Sequence, residues 1–359
     1  MPVNGDVLLL EQPRTQQTQQ TQRTRNTYAQ PKVARLRLKR ALRAVLLPVG
    51  AFLPVFLLGT FVTYLMGVLS GLSPAHLQLG EAATPQAVAR IQHEWGLDRP
   101  FLVQYLTWFG ALLQGDLGRS WYNGHSVSAL LAARAAISLS VAGLALLIGV
   151  SCGFILGVTA ALLQTSWVDR AITAFTSLIS VMPSFVVGIA LVALFAVTLG
   201  LLPAAGYVPI DEGLWGWLSH LLLPAVALSF DTTSEMARQL RVGLIAAYRE
   251  NYVTGALLRG LSDRRIFFVH VLRNAIGPAL TLLGMKFPHL LGGAVVTEAV
   301  FGLAGYGKFA SESALRGDVP AVQGVLVVSV VMVVVFNMLV NLLLNRIIPS
   351  AAGAAHRGA

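Results

Sequence analysis

The stretch ISLSVAGLALLIGVSCGFILGVTAALL, residues 137–163, contains no charged side chain and no proline. An α-helix needs about 20 apolar residues to cross the hydrocarbon core of a bilayer, so this stretch is long enough to cross. Gly149, Gly153 and Gly157 recur in it every four residues and share one helix face. Such a stripe lets a second helix backbone approach closely. The stretch therefore predicts a membrane-spanning helix that packs against a neighbouring helix.

The composition of the whole chain agrees with a membrane protein. Of its 359 residues, 55% are hydrophobic and 12% are charged, whereas soluble domains have about 25% charged residues. The formal net charge of +10 would also suit a nucleic-acid-binding protein, but Lys and Arg concentrated in cytoplasmic loops produce the same excess. We therefore predict an all-α integral membrane protein with no nucleic-acid partner.

Hydropathy predicts six transmembrane helices. The third and the fourth exceed the length that a bilayer requires and contain Pro183 and Pro224, so a tilt or a kink is expected in both. An even number of spans places the two termini on the same side of the membrane. The predicted spans are residues 45–69, 137–163, 171–202, 214–247, 275–300 and 322–348.

The segments outside these spans complete the predicted organisation. Residues 1–40 are polar and of low complexity, and we interpret them as a disordered basic cytoplasmic tail whose Lys and Arg lie near anionic lipid headgroups. The long apolar stretch that follows predicts an uncleaved first transmembrane helix within residues 41–69 rather than a secretory signal peptide. The other regions are an extracytoplasmic loop region at 70–136, a five-helix core at 137–348 and a short cytoplasmic tail at 349–359.

Charge asymmetry predicts which side each loop faces. The chain up to Arg43 carries nine Lys or Arg and two acids, and the passage 249–273 carries five Arg and two acids. The loops on the opposite side are richer in Asp and Glu. Because Lys and Arg concentrate on the cytoplasmic side of membrane proteins, both termini and the segment 249–265 are predicted to be cytoplasmic.

Motifs that would indicate an enzyme are incomplete. The string GLAGYGK, residues 302–308, matches the start of a phosphate-binding loop, but Phe309 stands where Ser or Thr would hold Mg²⁺. We interpret the string as a glycine-rich turn between helices. His93 and Glu94 lack the second His of a zinc-protease helix. The single cysteine, Cys152, excludes a disulfide framework and is expected to be a small buried side chain. We predict no catalytic residue and no metal site.

The passage ENYVTGALLRGLSDRR, residues 250–265, is amphipathic and lies between two apolar segments. Apolar residues at spacings of three and four predict a short helix that Gly260 ends. Such a helix can present a knob to a groove in a partner, or it can rest on lipid headgroups as an ordinary surface helix. The pattern alone leaves both interpretations open. The apolar positions are Tyr252, Val253, Ala256, Leu257 and Leu261.

Among the charged residues within the predicted spans, four in the fourth and fifth helices are candidates for a functional role. Asp231, Glu235 and Arg238 share one face of the fourth helix, and Lys286 lies well inside the fifth. A charge at membrane depth costs at least ~2.5 kcal/mol, so it normally faces a partner or a water-filled path. Two interpretations stay open: an ion pair that fixes the fourth helix against the fifth, and a polar face that lines a translocation path.

Several strings together resemble a known family. Residues 252–265 keep the pattern YVxxAxxxGLSxRR, with Ala256 and Gly260 at its small positions, and HVLRNAIGP follows at 270–278. GLDRPFLVQYLTWFGALLQGDLGRS precedes them at 96–120. By these strings the chain resembles the inner-membrane permease subunit of binding-protein-dependent ABC importers of the dipeptide/oligopeptide/nickel type. Thr254-Gly255-Ala256 departs from the Glu-Ala-Ala that the family favours. The other matching strings are VMPSF, LLPAAGY, HLLLPA, LLGGAVVTEAVF and VPAVQG.

The resemblance implies a mechanism and a set of partners. It implies alternating access, in which an extracytoplasmic solute-binding protein delivers the substrate and two cytoplasmic ATPase subunits hydrolyse ATP with Mg²⁺. A second homologous permease subunit supplies the other half of the path in the bacterial cytoplasmic (inner) membrane. This chain itself is expected to bind no cofactor. The residues implied in ATPase coupling are Glu250, Tyr252, Val253, Ala256, Leu257, Arg259, Gly260 and Leu261, with Ala256 and Gly260 expected where the helix enters the ATPase cleft.

Peptides are the expected substrate by the same resemblance. Nickel chelates, glutathione and oligosaccharides stay open, because related permeases share these motifs. Two interpretations from other classes also stay open. A secondary transporter needs no ATPase and tends to contain inverted repeats, and a membrane receptor or scaffold has no use for a docking helix that glycine ends.

Overall fold

A computed structural model of the chain describes residue 50, residues 53–71 and residues 73–347. The tails predicted at 1–40 and 349–359 lie outside the described residues, as does the start of the first predicted span. The chain divides into two compact units, Met1–Val55 and Phe56–Ala359, and the helix contacts lie within the second unit.

The described part of the chain is helical, and its one β-bridge joins Arg119 and Ser126. Val192–Thr198 continues α7, and Ile266–Val271 joins α10 to α11, both as π-helical turns. Two short 3-10 turns stand outside the α-helices, at Gly80–Ala82 and Ile210–Glu212. The α-helices are α1 Leu53–Leu69, α2 Pro74–Leu79, α3 Pro85–Glu94, α4 Phe101–Leu113, α5 Val127–Leu162, α6 Trp167–Val181, α7 Ser184–Leu191, α8 Leu214–Tyr248, α9 Asn251–Leu258, α10 Asp263–Arg265, α11 Leu272–Val300, α12 Tyr306–Leu315 and α13 Val319–Ile347.

Three helical segments in the described residues are long and apolar enough to cross a membrane alone. They are α5, α13 and the segment Asp263–Val300, which contains α11. The second predicted span was expected to begin at residue 137, but α5 begins ten residues earlier, at Val127. Helix α8 has 35 residues, but its second half carries four charged side chains and it does not meet the same apolar criterion. The count of six spans therefore stays a prediction.

The third predicted span is not one kinked helix. It is a pair, α6 and α7, bent by 101° at a short break. Met182 and Pro183 have extended backbone at this break, with ψ values of 121° and 136°, because a proline disfavours helical geometry in the residue before it. Pro224, by contrast, lies inside the continuous helix α8 and does not interrupt it.

Contacts between helices define their relative directions. Gly149 of α5 lies against Thr232 of α8, and Gly157, further along α5, lies against Leu240, further along α8. Because the residue numbers increase in the same direction on both helices, the two helices run parallel. The chain between them has to return, and α6 with α7 makes that return. Helix α11 runs antiparallel to α8 and to α13. Between α11 and α13, Arg273 near the start of α11 contacts Ile347 at the end of α13, and Phe287 stacks on Phe336. The end of α8, α9 and the last turn of α13 therefore share one end of the bundle.

The glycine stripe of α5 is the closest part of this packing. A Cβ atom on Gly153 would lie 2.7 Å from the Met236 Cβ and 2.8 Å from the Thr233 carbonyl oxygen, and one on Gly157 would lie 2.7 Å from the Ala237 oxygen. All three glycines are buried. The predicted packing role of the stripe is confirmed. Cys152 lies beside the stripe on the exposed side of α5, so its expected burial is wrong.

The glycine-rich string 302–308 wraps around a carboxylate of this same chain. Glu298, fully buried near the end of α11, accepts hydrogen bonds from the Ser138 hydroxyl of α5 and, at 2.8 Å, from the Lys308 N–H in the first turn of α12. A Cβ on Gly305 would come within 2.3 Å of this carboxylate. The start of a helix carries unpaired N–H groups and attracts an anion. Residues 302–305 form the predicted turn, residues 306–308 begin α12, and the acid at this helix start is Glu298.

The packing of the glycine stripe against α8 can be tested by substitution. Gly153→Val should destabilise the protein by about 1–3 kcal/mol or more, because the added side chain meets the α8 backbone, which cannot shift as a side chain can. The measurement is the midpoint of thermal unfolding of the protein in detergent, with its abundance in membranes beside it. Gly143→Val is the matched control on the same helix, since nothing lies within 4 Å of a Cβ at that position. Equal effects of the two substitutions would contradict the packing.

Candidate functional site

The segment between α8 and α11 forms a short helix with defined ends. Glu250, at the position before α9, has extended backbone. At the other end Gly260 has φ +71°, a conformation that glycine adopts without steric cost. The Gly260 and Leu261 N–H groups donate to the Leu257 and Ala256 carbonyl oxygens at 2.9 and 3.2 Å. This pair of bonds is the Schellman arrangement that ends a helix, which explains the glycine.

Helix α9 is fixed to the core of its own chain along one face. Val253 and Ala256 are buried in a cluster with Leu240 and Leu244 of α8 and Ile266. Ala256 is 0% exposed, so its small side chain serves internal packing. Ala256 was expected where the helix enters the ATPase cleft, and its role in coupling stays a prediction. Tyr252 and Leu261 are half-buried against the same cluster.

The opposite face of α9 carries exposed apolar side chains. Leu257 is 53% exposed and Leu258 is 84% exposed, and Glu250, Arg259 and Gly260 are exposed as well. Leu258 is absent from the residues predicted for coupling. The sequence could have indicated that Leu258 is exposed, because the side chains of consecutive helical residues point about 100° apart. Two adjacent leucines therefore cannot both face a core on which Val253 and Ala256 already lie.

The predicted intramembrane charges separate into two groups. Lys286 Nζ of α11 lies 2.7 Å from Asp231 Oδ2 of α8, and the exposed side-chain fractions are 15% for Lys286 and 57% for Asp231. Glu235 instead contacts Arg238 and, at 3.1 Å, Gln239, both on its own helix. The structure thus places one ion pair between the two helices, and the second acid stays within α8.

A further ion pair joins α8 to α6. Arg241 donates two hydrogen bonds to Asp169, from Nε at 2.6 Å and from a terminal nitrogen at 2.7 Å. Asp169 is buried and also accepts the Thr165 N–H at 3.0 Å. A planar guanidinium bound to both oxygens of a carboxylate fixes orientation as well as distance. Sequence reasoning missed this pair because its residues lie 72 positions apart.

A small cavity of about 80 Å³ lies between α6 and α8, next to these charges. Its lining combines hydroxyl-bearing residues and two arginines, Arg238 and Arg241, with apolar residues of α5, α6 and α8. Such a polar lining within two long helices can hold water, which a purely apolar cavity excludes. The hydroxyl side chains are those of Thr173, Thr176, Ser177, Ser180 and Ser234, the last from α8.

The region 70–126 is anchored to the start of α13 by a buried acid. Asp318 accepts hydrogen bonds from the Ser120 hydroxyl and, at 3.0 Å, from the Trp121 N–H. Elsewhere in this region His93 Nδ1 lies 2.6 Å from Asp98. This contact lowers the pKa of the Asp98 carboxyl and gives the histidine a partner other than a metal. The region is thus a folded set of short helices.

Two family models match the chain. The model described as "Binding-protein-dependent transport system inner membrane component" matches residues 153–352. The model described as "Binding-prot-dependent transport system membrane comp, N-term" matches residues 41–142. Together they cover every helix from α1 to α13 in whole or in part, including the segment with α9.

Curated relatives match most of this chain and most of their own length. A putative peptide transport system permease protein of Brucella abortus is 38% identical over 83% of this chain and 95% of its own. The di/tripeptide transport system permease protein DppB of Pseudomonas aeruginosa is 33% identical over 82% and 94%. The glutathione transport system permease protein GsiC of Salmonella paratyphi A is 31% identical over 83% and 95%.

A solved structure agrees with the fold. The chain is similar to a chain of the methionine ABC transporter MetNI in inward-facing conformations, with a TM-score of 0.50 over 61% of this chain and 96% of that one. At 16% sequence identity this likeness concerns the fold alone. The family models and the curated relatives confirm the resemblance seen in the sequence. This chain belongs to the family of binding-protein-dependent transport system inner membrane components, the permease subunits of ABC importers.

Proposed function

We propose that this chain forms half of a translocation pathway for di- or oligopeptides in the bacterial inner membrane. The observation that carries the substrate class is the naming of relatives that match more than four-fifths of the chain as peptide transport permeases. The glutathione permease among them is the specific reason to keep glutathione, itself a small peptide, as a second substrate. The names of these relatives give no support to nickel chelates or oligosaccharides.

Six spans with both termini in the cytoplasm fit the helix directions best. Helix α1 crosses once, α5 returns, and the bent pair of α6 and α7 is the third crossing, because α5 and α8 run parallel. Helices α8, α11 and α13 follow with alternating direction. The arginines of the segment 249–265 then lie on the cytoplasmic side, where α9 is accessible to ATPase subunits.

Helix α9 acts as the coupling element in this proposal. ATP and Mg²⁺ bind in two partner ATPase subunits, and a cleft in each permease–ATPase pair receives the exposed leucines of α9. A helix transmits a partner's movement only when it is fixed to the elements that must move. Val253 and Ala256 provide that fixation through α8 and Ile266. Closure of the ATPase pair would then tilt α8 and α11 as rigid bodies and alternate the access of the path.

The polar face of α8 supports a wet path between the two permease subunits. A peptide carries a charged amino and a charged carboxyl terminus, so it needs compensation by water or by charges of both signs while it crosses. Asp231, Glu235 and Arg238 offer both signs on one helix. The solute-binding protein would deliver the peptide at the opposite end, beside the folded region 70–126.

A substitution at Leu258 tests the coupling role. Leu258→Asp should weaken retention of the ATPase subunits by about 30-fold, the equivalent of about 2 kcal/mol, because a protruding apolar anchor in a partner pocket dominates such contacts. Peptide uptake should fall with it, while thermal stability stays unchanged, since the side chain is 84% exposed. The measurements are co-purification of ATPase subunits in detergent and uptake by cells.

Ala256→Asp is the matched control two positions away. It should lower the thermal stability of the chain by itself, because it places a charge in the cluster that fixes α9. A Leu258→Asp protein that keeps its ATPase subunits and imports normally would assign α9 to the lipid surface instead.

The contact between Lys286 and Asp231 separates the two interpretations of the membrane charges. Under the ion-pair interpretation, Lys286→Met should destabilise the protein by up to about 1 kcal/mol, because it removes the partner of a carboxylate that is 57% exposed. Adding Asp231→Asn should restore stability, and adding Glu235→Gln should not, because Glu235 contacts Arg238 instead. The measurement is thermal unfolding in detergent. Normal stability of all these variants together with altered peptide uptake would favour the interpretation that these charges line the translocation path.

Peptide uptake tests the function itself. Cells that lack this chain should fail to accumulate labelled di- and tripeptides, and plasmid-borne wild-type chain should restore uptake. Unlabelled glutathione should compete if it shares the path. Removal of the partner ATPase subunits should abolish uptake, whereas a secondary transporter would continue without them. Accumulation of nickel or an oligosaccharide, but of no peptide, would refute the proposed substrate class.

A further inference from the structure

A groove at the shared end of α11 and α13 combines apolar walls with two arginines. It has a volume of about 400 Å³. Phe268 and Val269 of the π-helical turn and Ile276 of α11 form the apolar part, and Arg273 and Arg346 also line it. None of the residues that line it is acidic. The groove lies at the same end of the bundle as α9, but none of its lining residues belongs to α9.

The two arginines keep hydrogen-bonding capacity that the described residues do not use. Arg273 donates from Nε to the Ile347 carbonyl oxygen at 2.8 Å, and this hydrogen bond caps the end of α13. The two terminal nitrogens of Arg273 make no hydrogen bond to a described residue. Arg346 has no hydrogen bond and no ion pair with any described residue. Residues 348–359, which follow directly, contain no Asp or Glu. A guanidinium without an acid beside it favours an anion from outside the chain.

The position of the groove along the helices selects the kind of anion. Both α13 and the segment that contains α11 are long and apolar enough to cross a membrane, so their ends lie at the depth of lipid headgroups. Phe268 is 63% exposed and Val269 is 49% exposed, as suits side chains that face acyl chains. Basic pockets between transmembrane helices bind anionic headgroups, and the planar fork of arginine matches phosphate oxygens.

We propose that this groove binds one anionic phospholipid, with its phosphate at Arg273 and Arg346 and an acyl chain along Phe268, Val269 and Ile276. The apolar walls favour a lipid over free phosphate, which would leave them wet. The occupied groove would tie the last turn of α13 to the beginning of α11. Because α11 follows directly on the coupling segment, the lipid would stabilise the end of the bundle that the ATPase subunits contact.

Native mass spectrometry of the full-length chain in detergent tests the site. Phosphatidylglycerol and phosphatidylcholine with the same acyl chains are the two probes. The wild-type chain should retain phosphatidylglycerol in preference. The apparent Kd for it should rise about fivefold for each arginine removed and about 25-fold in the double variant R273Q/R346Q. Retention of phosphatidylcholine should not change, and inorganic phosphate at millimolar concentration should not displace phosphatidylglycerol.

R264Q/R265Q is the matched control, because it removes two exposed arginines from α10 near the same end of the bundle without touching the groove. It should bind phosphatidylglycerol as the wild type does. If the double groove variant does not fold, R346Q alone carries the test with a fivefold change, since Arg346 makes no hydrogen bond to a described residue. An equal loss in the control would reduce the effect to general charge attraction and overturn the site. Unchanged lipid binding with loss of ATPase subunits from R273Q/R346Q would identify the groove as a protein contact and overturn it too.

Discussion

Three glycines of α5 bring its backbone into direct contact with that of α8, at distances that leave no room for a Cβ atom. Helices in a membrane gain little from hydrophobic burial against each other, so close backbone packing has to supply the attraction. This contact fixes α8, and α8 carries the groups that connect it to the neighbouring helices. Asp231 and Arg241 reach α11 and α6 from it, and α9 rests on its last turns. The parallel direction of the two helices also forces the chain between them to return through the bent pair.

Buried carboxylates secure the segments that connect the helices. Glu298 holds the start of α12, Asp318 holds Ser120 and Trp121, and Asp169 holds Arg241 and the turn at Thr165. A buried acid is costly unless hydrogen bonds satisfy it, and each of these three accepts several. The interactions are specific to one arrangement of the chain. They therefore define how the connecting segments lie, which apolar contact alone does not.

Helix α9 has two faces with different surroundings. Val253 and Ala256 are buried and connect α9 to the bundle, whereas Leu257 and Leu258 face outward. The small residues that the family pattern emphasises thus have separate physical explanations. Ala256 is small because it packs inside the chain, and Gly260 is glycine because its φ of +71° ends the helix. Leu257, Leu258 and the charges around them take no part in this packing and stay the predicted contact with a partner.

The sequence by itself determined the helical class, most of the apolar segments, the packing role of Gly149, Gly153 and Gly157, and the family. These follow from local properties, since hydropathy and helical period act within a window of about 20 residues. Only the tertiary structure decided which charge meets which, that Ala256 is buried, and that α6 and α7 bend by 101°. Lys286 and Asp231 are 55 positions apart. Their contact depends on the rotation and depth of two helices relative to each other, which no local pattern specifies.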